Sequence, residues 1–259
     1  MIIQSSKARF SLCMLYAISL WLILPLSYAA QQAAIVIAAV GKVTANTRDL
    51  ARRSLLYSGD TIKTGPGSKV SFKFTDDSIV TLSPNSSYII SNYSYQKGSA
   101  PNVFKAKLEH GGLKTITGVI GKEAMHTQDA KDAGIPEDKQ VKVARYEVKA
   151  AVATIGVRGT EYKCMINAES DKLLVSAMSG TVAAHFDDQY VELGEGADAA
   201  YMEISSDGSY QELVDDPISD SDFDVSEDDA DGDDDDESSD DDSSDDDSDD
   251  AGDDAGDED

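Results

Sequence analysis

Residues 153–162 read ATIGVRGTEY, and the fold turns on how they are read. Ala153, Ile155 and Val157 put apolar side chains at odd positions, whereas Tyr162, Cys164 and Ile166 put them at even ones. Successive side chains of a strand point to opposite faces, so the apolar set changes phase only if an extra residue intervenes. Gly159 lies between the two phases and tolerates the backbone angles of a β-bulge. Gly156 and Thr160 flank the same point. Arg158 falls on it, which reads as an anchor to a neighbouring carboxylate or carbonyl, with ligand binding as the alternative. A phosphate-cradling loop would need a longer glycine pattern, a Lys-Ser or Lys-Thr pair and then a helix. None of these is present, so the stretch is a kinked strand.

Working outward, the body reads as all-β. An apolar, β-branched strand opens it at 35–43. Val70, Phe72 and Phe74 alternate with Lys69, Ser71 and Lys73, the period of a half-buried strand. Thr75, Asp76, Asp77 and Ser78 then make a turn, so 69–82 is a hairpin. Thr64-Gly65-Pro66-Gly67 is a breaker upstream. Further strands are expected at 88–95, 141–148, 190–193 and 199–204, and a hairpin over 173–186 with its turn at Met178-Ser179-Gly180. Short helices are expected at 46–57 and 104–110. Residues 121–140 are polar, hold Gly134 and Pro136, and read as a long loop that presents a functional or mobile surface.

Three stretches taken in order resemble the FecR-type domain, the extracytoplasmic domain of ferric-citrate-type regulators. They are Gly59-Asp60-Thr61-Ile62-Lys63-Thr64-Gly65, the hairpin SFKFTDDSIVTLSPNS at 71–86, and ATIGVRGTEY. SAMSGTVAAH at 176–185 and VELGEGADA at 191–199 resemble its closing strands. The resemblance covers roughly 40–200. It implies an all-β domain of short antiparallel strands that contacts other proteins and has no known catalysis, with Gly59, Asp60, Gly65, Gly156, Arg158, Gly159 and Thr160 as its structural motif. In the regulators a cytoplasmic segment handles a sigma factor. Here nine residues precede the first apolar run, so the domain is expected without that segment.

The ends of the chain are simpler. Lys7 and Arg9 precede an apolar run over 10–26, and Ser27-Tyr28-Ala29 comes next, which is the layout of a secretory signal cleaved after Ala29. An uncleaved anchor is the alternative, and the run is short for a span of about 20 residues. The expected product is exported, periplasmic or extracellular, with no membrane span after cleavage. At the other end, 27 of the 49 acidic residues lie at 215–259 beside no basic one, while 30–214 hold 22 acidic and 20 basic side chains. Few apolar residues accompany those charges, so 215–259 is expected to stay disordered. The division is 1–29 signal, 30–214 domain, 215–259 tail. After cleavage only Cys164 remains, which excludes an internal disulfide and reads as a small buried side chain.

A search for chemistry returns little. His110, His126 and His185 have no partners at metal-ligand spacing. Gly-x-Ser-x-Gly and His-Glu-x-x-His motifs are absent, and Asp76-Asp77 reads as a turn pair. No enzyme and no cofactor are expected. Arg48, Arg52 and Arg53 form a modest basic cluster without interleaved aromatics, and the tail would repel nucleic acid. Asp229, Asp231 and Asp233 alternate as calcium ligands do, but lack the glutamate and flanking helices of an EF-hand. Two readings therefore stand together. One is a non-enzymatic interaction module for an envelope protein or surface component, in signalling or envelope assembly. The other is a secreted or surface protein whose tail binds divalent cations such as calcium, weakly and at many sites.

Overall fold

The computed structural model describes residues 31–98, 102–123, 145–167, 170–187 and 189–225. The signal at 1–29, His126, most of the loop at 121–140 and the triplet Asp229, Asp231 and Asp233 lie outside the described residues. Strands β1 (Gln32–Val40), β2 (Val43–Ala45), β3 (Arg48–Asp49), β4 (Leu55–Tyr57) and β5 (Thr61–Thr64) come first. The hairpin β6 (Lys69–Phe74) and β7 (Ile79–Leu82) forms as expected, with β8 (Ser87–Ser94) after it. A long strand β9 (Val103–Ile116) leads into a one-turn helix α1 (Val119–Glu123). Then come β10 (Arg145–Ala150), β11 (Ala153–Ile166), β12 (Leu173–Phe186), β13 (Gln189–Gly194), β14 (Tyr201–Ile204) and β15 (Tyr210–Leu213).

These strands form one sheet in the order β15-β14-β12-β11-β10-β9-β7-β6-β1-β4, with β13 on β12 and the branch β8-β5-β2-β3 leaving β9. β9, β11 and β12 are each 14 residues long and serve two neighbourhoods. The first half of β9 pairs with β8 and β10, and its second half with β7 and β11. Each long strand carries a glycine at positive φ where it changes neighbours: Gly111 at 78°, Gly159 at 61° and Gly180 at 67°. At Gly159 the register shifts between Arg158 and Glu161, so the phase change in the sequence is a real bulge. A Cβ on Gly180 would lie 2.6 Å from the Gly159 carbonyl oxygen, whereas at Gly159 the positive φ alone strains a side chain.

The bends wrap the sheet around one contiguous core. A run of rings crosses it: Phe72, Phe74, Tyr93, Phe104, Tyr146 and Tyr162, with centroid separations from 4.5 to 6.4 Å. Tilted and edge-on pairs at these distances add about 0.5–1.5 kcal/mol each beyond simple burial.

Several expectations are corrected. Residues 104–110 are strand, because Phe104, Ala106 and Leu108 alternate inward and bury that face. Residues 46–57 contain β3 and β4 rather than a helix. Asn46 and Arg53 adopt φ of 55° and 70°, angles that interrupt helical winding. Residues 173–186 are no hairpin: Gly180 bends one strand instead of reversing it. The strands are not all antiparallel, since β9 and β10 run parallel. A parallel pair needs a crossover of a dozen or more residues, and the stretch 117–144 is that crossover.

The turn at Asp76 and Asp77 does more than reverse the chain. Asp76 is fully buried, and its carboxylate accepts from the Ser78 amide and hydroxyl, the Tyr93 hydroxyl and the Ile120 amide at 2.9–3.3 Å. The Asp76 carbonyl accepts from the Val119 amide at 2.8 Å. One side chain thus ties the β6–β7 turn, β8 and the start of α1. Asp76→Ala leaves these donors unpaired and is expected to lower unfolding free energy by about 2–3 kcal/mol. Denaturant unfolding will show a lower midpoint at unchanged slope. A loss under about 0.5 kcal/mol would contradict this role.

Candidate functional site

The motif residues fall in two places. Gly59, at φ 96°, donates its amide to the Ile90 carbonyl at 2.7 Å and starts the turn between β4 and β5. Asp60 next to it is buried and accepts from Arg48 at 2.6 Å, Asn46 at 2.8 Å and the Tyr57 amide at 3.0 Å. Gly65 bonds Lys42 through its amide and receives the amides of Ser68 and Asn85. The second group sits on β11. Gly156 is buried opposite Ala183, Arg158 is exposed opposite Thr181, and Gly159 makes the bulge. Thr160 and Thr117 exchange two bonds: the Thr117 hydroxyl donates to the Thr160 carbonyl at 2.9 Å and accepts its amide at 2.8 Å. These contacts hold turns and corners together.

The core chemistry is quiet. Burial pushes the Cys164 thiol up to about 12, so it stays protonated at neutral pH and is a poor nucleophile. Burial likewise pushes the phenols of Tyr88, Tyr146 and Tyr162 well above their ordinary value, and Tyr146 and Tyr162 bond each other at 2.9 Å. His110 and His185 are exposed, and His185 lies edge-on against Tyr190. Among the described residues no group of three His, Cys, Asp or Glu side chains could hold a metal ion.

The arrangement with the clearest capacity to bind lies where composition suggested only disordered tail. Residues 215–225 are described on the domain, and they cross the outer face of the sheet as a strap. Asp216 sits over β12 and β11, accepting from the Ser176 hydroxyl at 2.6 Å and pairing with Lys163 at 2.5 Å. Ile218 is buried, and its carbonyl accepts from Lys163 Nζ at 2.6 Å. Asp220 opens a 3-10 turn (Asp220–Phe223) and lies 3.4 Å from both Lys163 and Lys114. Phe223 is buried against Gly112 of β9. Lys69 of β6 then donates to the carbonyls of Ser221 and Asp224 at 2.6 and 3.0 Å.

The trough beneath the strap is built from small outward-facing side chains. Ser71 and Ser176 are buried although they stand on the outer face, and Gly112 leaves room for the Phe223 ring. Lys163 alternates outward from Tyr162 and Cys164, yet it is completely covered. Its three donors face the Asp216 carboxylate, the Ile218 carbonyl and the more distant Asp220 carboxylate, so the ammonium is paired rather than stranded. Removing Asp216 would leave a poorly compensated buried charge, at a cost on the order of 3 kcal/mol. Sequence reasoning missed this site. Its only traces are Ile218, Phe223 and Val225, the apolar residues larger than alanine in an acidic run, and hydroxyl residues where an exposed strand face usually carries longer polar ones.

Residues 60–183 match the family model described as FecR protein. That span includes Ser71, Gly112, Lys114, Lys163 and Ser176 of the trough and stops before the strap. Two crystal structures of a proposed anti-sigma factor from Parabacteroides distasonis ATCC 8503 are similar at 13% and 14% identity, each with a TM-score of 0.41. Each alignment covers 59% of this chain and 58% of that one, so the chain spans less than two thirds of that protein's length. No curated protein matches the chain.

Acid is expected to loosen the strap. Burial pushes the Asp216 carboxyl up, but hydrogen bonds from Lys163, Ser176 and the Ile218 amide outweigh it, and the net shift is downward. The charges of Lys163 and Lys114 hold Asp220 below its usual range. A depressed carboxylate stabilises the docked form above its unfolded value, about 3.9, and that contribution fades as pH falls through the folded value. Protection of the Ile218 and Ser221 amides, read as exchange relative to the intrinsic rate at each pH, should therefore be retained at neutral pH and fall below about pH 4, before protection of the core amides does. Simultaneous loss with the core would contradict a separately anchored strap.

Proposed function

We propose, for a chain that carries a FecR-type domain across residues 60–183, that it acts as a non-enzymatic protein-interaction module exported to the cell envelope. The family match supports a regulator-type module; export and the envelope setting are our reading of the leader. The observation that carries the proposal is the trough, where a rigid sheet face holds an extended stretch of chain through side-chain contacts. That is how interaction domains grip peptides, and it needs no reactive group. The acidic run beyond the strap keeps the product soluble or spaced from a surface through its own repulsion. Regulation of a neighbouring envelope protein is the role that fits best.

Two measurements test this. Mass spectrometry of the product recovered after expression should find its N-terminus at Ala30, with Cys164 as the single thiol; retention of residues 1–29 would contradict export as a free domain. A chain ending at Val225 should capture the same envelope protein as the full chain. Capture that needs residues 226–259 would instead make the acidic tail the active part and favour cation binding.

A further inference from the structure

The strap lies on the sheet as a bound peptide does. Among the described residues its backbone-to-backbone hydrogen bonding is internal, from the Asp222 amide to the Ser219 carbonyl, and its carbonyls reach the domain only through lysine side chains, with no backbone ladder to a strand. Its hold comes from three lysines on three different strands, from Ser176 and from the burial of Ile218 and Phe223. All of these trough residues belong to the domain, so the site is built whether or not this segment fills it. The strap joins β15 through Val214 and Asp215, both exposed. Beside Phe223 a cleft of about 290 Å³ stays open, lined by Ile37, Ala38, Ser71 and Thr81 with Asp224 and Val225 of the strap. The resident segment therefore does not fill the groove. Release of the strap alone would return Lys163 to water and forfeit its three strap oxygens together with the burial of Ile218 and Phe223. Exchange of one acidic segment for another replaces those contacts.

We propose that the trough is a recognition site for an acidic segment of a partner protein with the spacing Asp-x-Ile-x-Asp-x-x-Phe, and that residues 216–223 are its resident competitor. The proposal rests on the interaction-module reading above and names the face that the partner uses. The first aspartate meets Lys163 and Ser176, the second meets Lys114 and Lys163, and the two apolar anchors set the register. A partner with a bulkier final anchor would also fill the cleft beside Phe223 and so displace the strap.

The test uses the full chain and a fluorescein-labelled peptide copying residues 213–226, with fluorescence anisotropy as the readout. Wild-type chain should bind weakly, because a tethered competitor acts at an effective concentration near millimolar. The variant D216N/F223A, whose own strap is weakened, should bind about tenfold tighter or more as the open fraction rises. Adding K69E and K114E to that variant should remove the gain. If D216N/F223A fails to fold, F223A alone serves, with a smaller gain expected. Equal binding by wild type and the strap-weakened variant overturns the proposal. Equal binding by a scrambled peptide of the same composition also overturns it, since charge alone would then explain the attraction. Failure here while the chain ending at Val225 still captures a partner moves that partner to another face. Peptide binding without any capture leaves the trough standing and sinks the envelope-partner reading.

Discussion

Three backbone positions that only glycine fills comfortably control the architecture. β9, β11 and β12 each pass through a residue at positive φ, namely Gly111, Gly159 and Gly180. A side chain there would be strained by the backbone angle, and at Gly111 and Gly180 it would also strike Ser86 or the Gly159 carbonyl. Because the three strands turn at these points, their two halves join different neighbours within one sheet. The sheet can then close over the ring cluster from Phe72 to Tyr162 instead of extending flat with both faces wet. The motif contacts at Asp60 and Thr160 act at the edges of this same arrangement, fixing the β4–β5 turn and the β11 corner.

Bending a sheet leaves its outer face to be managed. Over β6, β7, β9, β11 and β12 that face is narrow-sided, with Ser71, Thr81, Gly112 and Ser176 in place of long polar chains. Lys163 rises from its middle. A lysine on such a face ordinarily extends its head into water, but here the ammonium is covered and three oxygens of the strap complete its hydrogen bonds. The trough and strap are therefore complementary in charge and in shape. The strap also runs from the β12 side of the sheet to β6, bracing strands that are far apart in the hydrogen-bonding order.

How much of this is legible in the residues alone depends on the range of each interaction. The bulge at Gly159 is legible because alternation is local: a phase slip within 14 residues leaves its mark in the residues themselves. The β6–β7 hairpin is legible for the same reason. Residues 104–110 mislead because Lys105, Ala106, Lys107, Leu108 and Glu109 favour helix intrinsically, while the alternation of Phe104, Ala106 and Leu108 is satisfied by partners far along the chain. Gly180 reads as a turn because a glycine between two β-rich runs looks the same whether the strand bends or reverses. The strap is invisible to composition. Its aspartates merge into the longer acidic run at 226–259, and the lysines that receive them lie 53 to 155 positions away.

The strap differs from the remaining acidic run in one respect that matters physically. Carboxylates alone could pair with Lys69, Lys114 and Lys163 in many registers, since a polyanion offers an oxygen every few ångströms and ion pairs are weakly directional. From residue 226 onward the chain has no apolar residue larger than alanine. Ile218 and Phe223 are therefore the large anchors at this end that can enter the trough, and burying them selects one register among the electrostatically similar ones. Charge brings the segment to the sheet and apolar burial decides where it stops. Any chain competing for the same trough must supply both, which is why an acidic segment without an aliphatic and an aromatic anchor five residues apart would be a poor substitute.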